Sequence, residues 1–205
     1  NSLLVALLAS AISAVVGTAA AVGISKFGKR ARGAIMNVTY LPVLNPEIVT
    51  GISMMLLFVY FKNLFGFRMG FGTVLIAHVT FCLPYVILNV LPKLRQMDQS
   101  LFEAAMDLGC NPLSAFFKVV IPQIMPGITA GFLMAFTISL DDFVVTYFTS
   151  GSGFKMLPVT IYSMVKKKVN PQINALSTII FLIVLALLVV MNVVEARRAK
   201  RLKQN

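Results

Sequence analysis

Runs of about 20 apolar residues, long enough to cross the hydrocarbon core of a bilayer as a helix, occur five times in this chain: 3–25, 37–61, 71–92, 123–148 and 173–194. A chain with that pattern has little choice of solvent. Covering five such runs in water would need a polar shell, yet only 12% of the 205 residues are charged, against about 25% in soluble domains. Inside hydrocarbon the backbone must pair its own polar groups, which leaves helices or closed barrels. The alternation of a barrel strand is absent, so the expected fold class is an all-α polytopic membrane helix bundle with five spans.

The basic residues orient it. Lys26, Lys29, Arg30 and Arg32 follow the first run, Lys93, Arg95 and Lys118 follow the third, and Arg197, Arg198, Lys200, Arg201 and Lys203 lie in the tail. Together they are 12 of the 18 bases. The opposite side carries Lys62, Arg68, Lys155 and Lys166 to Lys168. The positive-inside rule places the larger set, and with it the C-terminus, in the cytoplasm. The net charge of +11 is therefore a topology and lipid-headgroup signal, with no nucleic-acid partner expected. Five spans then leave Asn1 outside. Because the chain opens without Met in a run too long and too rich in small residues for a signal-peptide core, an earlier helix is expected before it. Cys82 in a span and Cys110 in a cytoplasmic segment imply no disulfide and lack ligand spacing.

One polar island interrupts the apolar runs, at 98–122. Ser100-Leu101-Phe102-Glu103 fits a capping box and predicts a helix beginning near Ser100. Gly109 ends it where a left-handed residue is easiest, and Asn111-Pro112 restarts a helix as cap and first position. Pro122 and Pro126 mark the passage into the next run. Two readings of this helix-Gly-helix corner stay open on physics alone: a pair of interfacial helices on the headgroups, or a docking knob whose small Ala104 and Ala105 let another protein approach closely.

Glu103-Ala104-Ala105, three residues, Gly109, nine residues, then Val119-x-Ile121-Pro122 resembles the EAA loop of permease subunits in binding-protein-dependent ABC importers. Val and Ile stand where that pattern has Ile and Leu. Nearly the whole chain is similar to the PotC-type subunits of spermidine/putrescine importers, through HVTFCLPYVILNVLPKL, SLDDFVVTYFTSGSG, LPVTIYSMVKKKVNPQINAL and NPEIVTGIS. The resemblance implies one permease domain over 1–205, with six spans in the full subunit. It also implies a cytoplasmic coupling loop at 98–122, whose Glu103, Ala104, Ala105, Gly109 and Pro122 engage an ATPase. The implied partners are a second permease subunit, taken as a different but related chain, two ATPase subunits and an extracytoplasmic substrate-binding protein. The implied location is the bacterial cytoplasmic (inner) membrane. ATP and Mg would be bound by the ATPase, with no cofactor on this chain.

Gly23-Ile24-Ser25-Lys26-Phe27-Gly28-Lys29 matches seven positions of a phosphate-binding P-loop, but the eighth is Arg30 and not Ser or Thr. It follows a membrane run, so no ATP site is expected. His78, the sole histidine, reads as a satisfied interhelical side chain ahead of a metal ligand or proton relay. Gly127-x-x-x-Gly131 either permits close helix packing or reflects the frequency of glycine in membrane helices. No nucleophile with a base and no metal cluster can be assembled, so no catalytic residue or metal is expected.

Three of the seven acids, Glu47, Asp141 and Asp142, fall inside apolar runs. Each costs about 2.5 to 3.5 kcal/mol at a helix centre, against about 0.3 to 0.6 gained per aliphatic residue, so something should compensate them. Either they line a polar path that receives a cation, with Tyr85, Phe143 and Tyr147 as aromatic faces, or they pair with bases of a partner subunit or mark the membrane edge. Asp141 and Asp142 lie about 100° apart on a helix, so one is expected to face the path and the other to bond a neighbouring helix or backbone. Glu47, after Asn45-Pro46, lies by an expected helix break. Lys166, Lys167 and Lys168 run against the charge rule, as a solvated loop or as a contact to the binding protein. The expected function is ATP-driven polyamine import by alternating access. An ABC permease for another solute, such as an iron complex or an opine, and an ion-gradient-driven secondary transporter are the alternatives.

Overall fold

A computed structural model describes residues 1–98, 100–167, 175 and 178–189, without the side chain of Lys167. Among the described residues there are helices and no strand. Those up to Val159 form one compact unit, and the described residues from Thr160 onward belong to another.

Within the first unit, α1 (Ser2–Lys26), α4 (Phe71–Gln96) and α7 (Ile121–Asp141) make the core. Their packing inverts the pattern of a soluble protein. α1 buries Ala6, Ala9, Ser10, Ser13, Ala14, Gly17 and Ala21 and exposes Leu3, Leu4, Leu7, Val15 and Val16. Lipid is as apolar as leucine, so the large side chains gain nothing by turning inward, and small ones let backbones approach. A Cβ on Gly17 would lie 2.8 Å from Val86, and one on Gly127 would lie 2.8 Å from the Asn89 carbonyl. A Cβ on Gly131 would stand 3.0 Å from Val86 Cα. Gly127 and Gly131 are thus packing residues of the α4–α7 seam.

Among the described residues there are four helices of spanning length, Ser2–Lys26, Glu47–Phe65, Phe71–Gln96 and Pro112–Asp141, and within the fifth run Thr178–Val189 is described as apolar helix. The run 37–61 is divided. Pro46 lacks an amide hydrogen and pushes the preceding residue out of helical geometry, so Asn45 is extended (φ −77°, ψ 138°), ending α2 (Lys29–Leu44) before α3 (Glu47–Phe65) begins. The run 123–148 also divides: α7 stops at Asp141, Asp142 is extended (φ −62°, ψ 120°), and a short α8 (Val144–Thr149) follows. α8 packs on α3, with the Phe148 ring 2.9 Å from where a Gly51 Cβ would be, and Phe58, Ala77 and Val145 form a second cluster. The end of α1 is tied down by Asn1 Nδ2 donating to the Lys155 carbonyl (2.9 Å) and Leu157 N–H donating to Ser2 Oγ (2.7 Å).

The polar island folds as α5 (Ser100–Asp107), a corner, and α6 (Pro112–Ala115) running into α7 through Phe116–Val120. Gly109 is left-handed (φ +84°), and Asn111 Oδ1 accepts from Ser114 N–H at 2.7 Å. At the start of α5 the acceptor is Asp98 and not the expected Ser100 hydroxyl: Asp98 Oδ1 takes the Ser100 N–H at 3.0 Å. Hydrogen bonds from the Ser100 backbone and side chain hold the Asp98 carboxyl below its usual range. Phe116–Val120 winds wider than an α-helix, with Ile121 N–H reaching the Phe116 carbonyl. Pro122 follows at once, and a wider turn relieves the clash and missing donor that a proline brings to an α-helix.

The part of α9 (Leu157–Lys167) that belongs to the second unit has Ser163 Oγ donating to the Thr160 carbonyl. α10 (Thr178–Val189) exposes Ile179, Phe181, Leu182 and Ile183. The rest of the fifth run and the basic tail lie outside the described residues.

Candidate functional site

Both helix breaks open on the same place. The interruption between α2 and α3 leaves Asn45 and Glu47 there, and the interruption after α7 leaves Asp141 and Asp142. With Tyr85 and Phe81 of α4, Thr50 of α3, and Thr137 and Phe143 beside the second break, they line a cleft of about 290 Å³. That is close to the lower end of small-molecule pockets, roughly 300 Å³. Three carboxylates converge, and no Lys or Arg is among the described lining residues. Helix breaks at membrane depth are tolerated where freed backbone faces a cavity.

The two aspartates take different surroundings. Asp141 is exposed, whereas Asp142 is buried. Asp142 Oδ2 accepts from Thr146 N–H (2.7 Å) and from the Thr146 hydroxyl (2.8 Å), and Oδ1 accepts from Val145 N–H (3.2 Å). These donors offset the loss of water. His78 adjoins them, fully buried, with Nε2 3.0 Å from Thr146 Oγ1 and 3.5 Å from Asp142 Oδ2, and Nδ1 2.6 Å from Ser139 Oγ. Thr146 has one hydroxyl hydrogen and gives it to Asp142, so His78 Nε2 carries a hydrogen and donates to Thr146 Oγ1. Ser139 then donates to Nδ1, and every member has a partner. Cys82, one turn along α4 from His78, donates instead to the Ala135 carbonyl at 3.5 Å. Among the described residues no group of three or more His, Cys, Asp and Glu is placed to hold a metal.

Of the residues singled out in the sequence, Glu47, Tyr85, Asp141 and Asp142 are brought together. Tyr147 is not among the lining residues: its ring packs on Phe143, centroids 5.6 Å apart. The break explains why. α8 starts anew with Val145 buried against Phe58 and Ala77, and a residue two positions on lies about 200° round a helix. Glu103 and Ala104 are exposed, Ala105 is half-buried, and Gly109 and Pro122 are exposed at the polar corner. Lys166 is exposed; the Lys167 side chain and Lys168 lie outside the described residues. The string 23–30 spans the end of α1 and the start of α2, without the buried strand of a P-loop. Sequence reasoning missed Ser139, Thr146, Asn45, Thr50 and Thr137. The Ser139-Asp142-Thr146 spacing of three and four residues was the available signal.

Fold and cleft define a helical protein that crosses the bilayer several times and gathers three acidic side chains in one cleft. Residues 13–204 match the family described as "Binding-protein-dependent transport system inner membrane component", and the chain belongs to it. It is 44% identical over 182 residues to the putrescine transport system permease protein PotI of Escherichia coli (strain K12), covering 87% of this chain. It is 36% identical over 197 residues to the spermidine/putrescine transport system permease protein PotC of Haemophilus influenzae, covering 96% of this chain and 75% of that protein. The PotC of Escherichia coli (strain K12) is 34% identical over 200 residues, 98% of this chain and 74% of that protein. The chain spans 65% of the length of PotI.

Proposed function

We propose that this chain is a membrane-spanning subunit of an ATP-driven importer that moves polyamines from an external binding protein into the cytoplasm by alternating access. The observation that carries the reading is the cleft, where Glu47, Asp141 and Asp142 converge beside Phe81, Tyr85 and Phe143 with no base among the described lining residues. Polyamines alternate ammonium groups with methylene stems. Carboxylates attract the first, and aromatic faces accept both. The names of the relatives, which concern putrescine and spermidine, support the same cargo.

In this reading ATP and Mg belong to two partner ATPase subunits, and this chain catalyses nothing itself. The corner of Glu103, Ala104, Ala105 and Gly109 meets the ATPase. Closure of the ATPases is transmitted through Phe116–Val120 and Pro122 into α7, which carries Asp141 at its far end. A second, related permease subunit completes the path. The C-terminus is cytoplasmic, and the basic run Lys166, Lys167 and Lys168 is the sequence proposed to contact the binding protein.

Uptake of labelled putrescine and spermidine in cells lacking ATP synthase tests this, because there ATP and the ion gradient can be collapsed separately. The expected result is uptake that stops on ATP depletion and survives an uncoupler. Asp141→Asn and Glu47→Gln, at normal abundance, should each lower it at least about fivefold. Loss with the uncoupler alone would assign a gradient-driven carrier, and absence of polyamine uptake would reassign the cargo to another solute.

A further inference from the structure

Nothing in the local sequence compels the break after Asp141. From Ser139 to Thr146 the chain reads SLDDFVVT, without proline or glycine, and an uninterrupted helix would satisfy more backbone groups than a broken one. Asp142 caps the start of α8 by accepting from the Val145 and Thr146 N–H groups, and a further tie comes from outside α7 and α8. One side chain from α4 touches both sides of it: His78 meets Ser139, three residues before Asp142, at 2.6 Å, and Thr146, four residues after, at 3.0 Å. It is wholly buried, and its ring also packs on Phe81, a lining residue of the cleft, at 5.0 Å between centroids.

We propose that His78 is a positioning residue: by holding Ser139 on one side of the break and Thr146 on the other, it fixes the kink that turns Asp142 inward and presents Asp141 to the cleft. Imidazole suits the task because it is rigid and offers polar atoms on opposite sides of one ring. Asn carries its polar atoms on one short branch, and Phe offers none. His78 itself is not a lining residue of the cleft, so its effect on transport passes through Asp141. In that respect the inference rests on the cleft being the substrate path.

Two measurements on the full transporter test it. In the first, uptake of labelled putrescine at saturating binding protein is compared for wild type, His78→Asn, Asp141→Asn and the double variant, normalised to abundance. His78→Asn is expected to lower the rate about tenfold alone and less than about twofold in the Asp141→Asn background, because the residues act through one another. Equal loss in both backgrounds would mean general structural damage and overturn the proposal. The second measurement needs no substrate. In a Cys110→Ser background, with Cys82 buried, Asp141→Cys and, separately, Glu47→Cys across the cleft are modified with a cationic thiol reagent. Adding His78→Asn should change the rate at position 141 at least about fivefold and leave position 47 within about twofold. Rates that change together, or not at all, would overturn the positioning role. A wild type that does not import putrescine but shows the position-specific labelling change would sink the transport reading while upholding the role of His78.

Discussion

Thr146 has one hydroxyl and serves two neighbours with it, donating to Asp142 and accepting from His78. Thr146→Val keeps the shape and removes both bonds. Hydrogen bonds between membrane helices average about 0.6 kcal/mol, but this one serves a buried carboxylate and leaves it short of a donor, for which the loss is about 1 to 3 kcal/mol. The purified protein in detergent should therefore lose about 1 to 2 kcal/mol of thermal stability. Tyr147→Phe, one residue along on an exposed ring, should stay within about 0.5 kcal/mol. Equal losses for the two would remove the network from the account of stability. From the sequence, Asp141 and Asp142 are expected to need compensation, with a place at the membrane edge as the other reading. The sequence does not show by what means: His78 lies more than sixty positions away on α4, and only tertiary contact pairs it with Ser139 and Thr146.

At the scale of helices, glycines distinguish seams from lipid-facing surfaces. Gly127 lies against the Asn89 carbonyl and Lys93, with no space for a side chain, whereas a methyl group on Gly23 of α1 would meet nothing within 4 Å. Gly127→Leu must push α7 off α4, and overpacking of a seam typically costs about 1 to 3 kcal/mol. Gly23→Ala should instead stabilise the helix by about 0.5 to 1 kcal/mol. Thermal melts of the two variants should thus shift in opposite directions, and a shared direction would contradict the packing described. Helix breaks differ in legibility for a related reason. The break at Pro46 is written in the chain, because a missing amide hydrogen acts locally. The break at Asp142 is less plainly written: it has no proline or glycine, and although Asp142 caps α8 locally, the tie from His78 of α4 shows only in the fold. The apolar runs 37–61 and 123–148 each fold as two helices, the first at a break that Pro46 announces and the second at one that no proline announces, and the two breaks place Glu47 and Asp141 on the cleft.

For the chain as a whole, the sidedness of the membrane follows from bases and not from packing. The polar corner follows α4, whose last turn carries Lys93 and Arg95, and the positive-inside rule assigns that end to the cytoplasm. Cys110 is a native probe of the assignment: it lies in the corner, half-buried, beside the left-handed Gly109, while Cys82 is wholly buried in α4. A membrane-impermeant maleimide should leave intact spheroplasts unlabelled and label inverted vesicles at one site per chain, with Cys110→Ser abolishing the signal. Binding of the ATPase should then slow the labelling, because the corner would be covered when the motor docks there. Labelling from the outer face would reverse the topology and place the corner beyond the reach of any cytoplasmic ATPase. Labelling from the cytoplasmic face at the same rate with and without ATPase would keep the topology and remove the corner from the contact. The two results separate because the side on which the corner emerges is an expectation from charge, while docking of an ATPase on α5, Gly109 and α6 is a proposal about a surface.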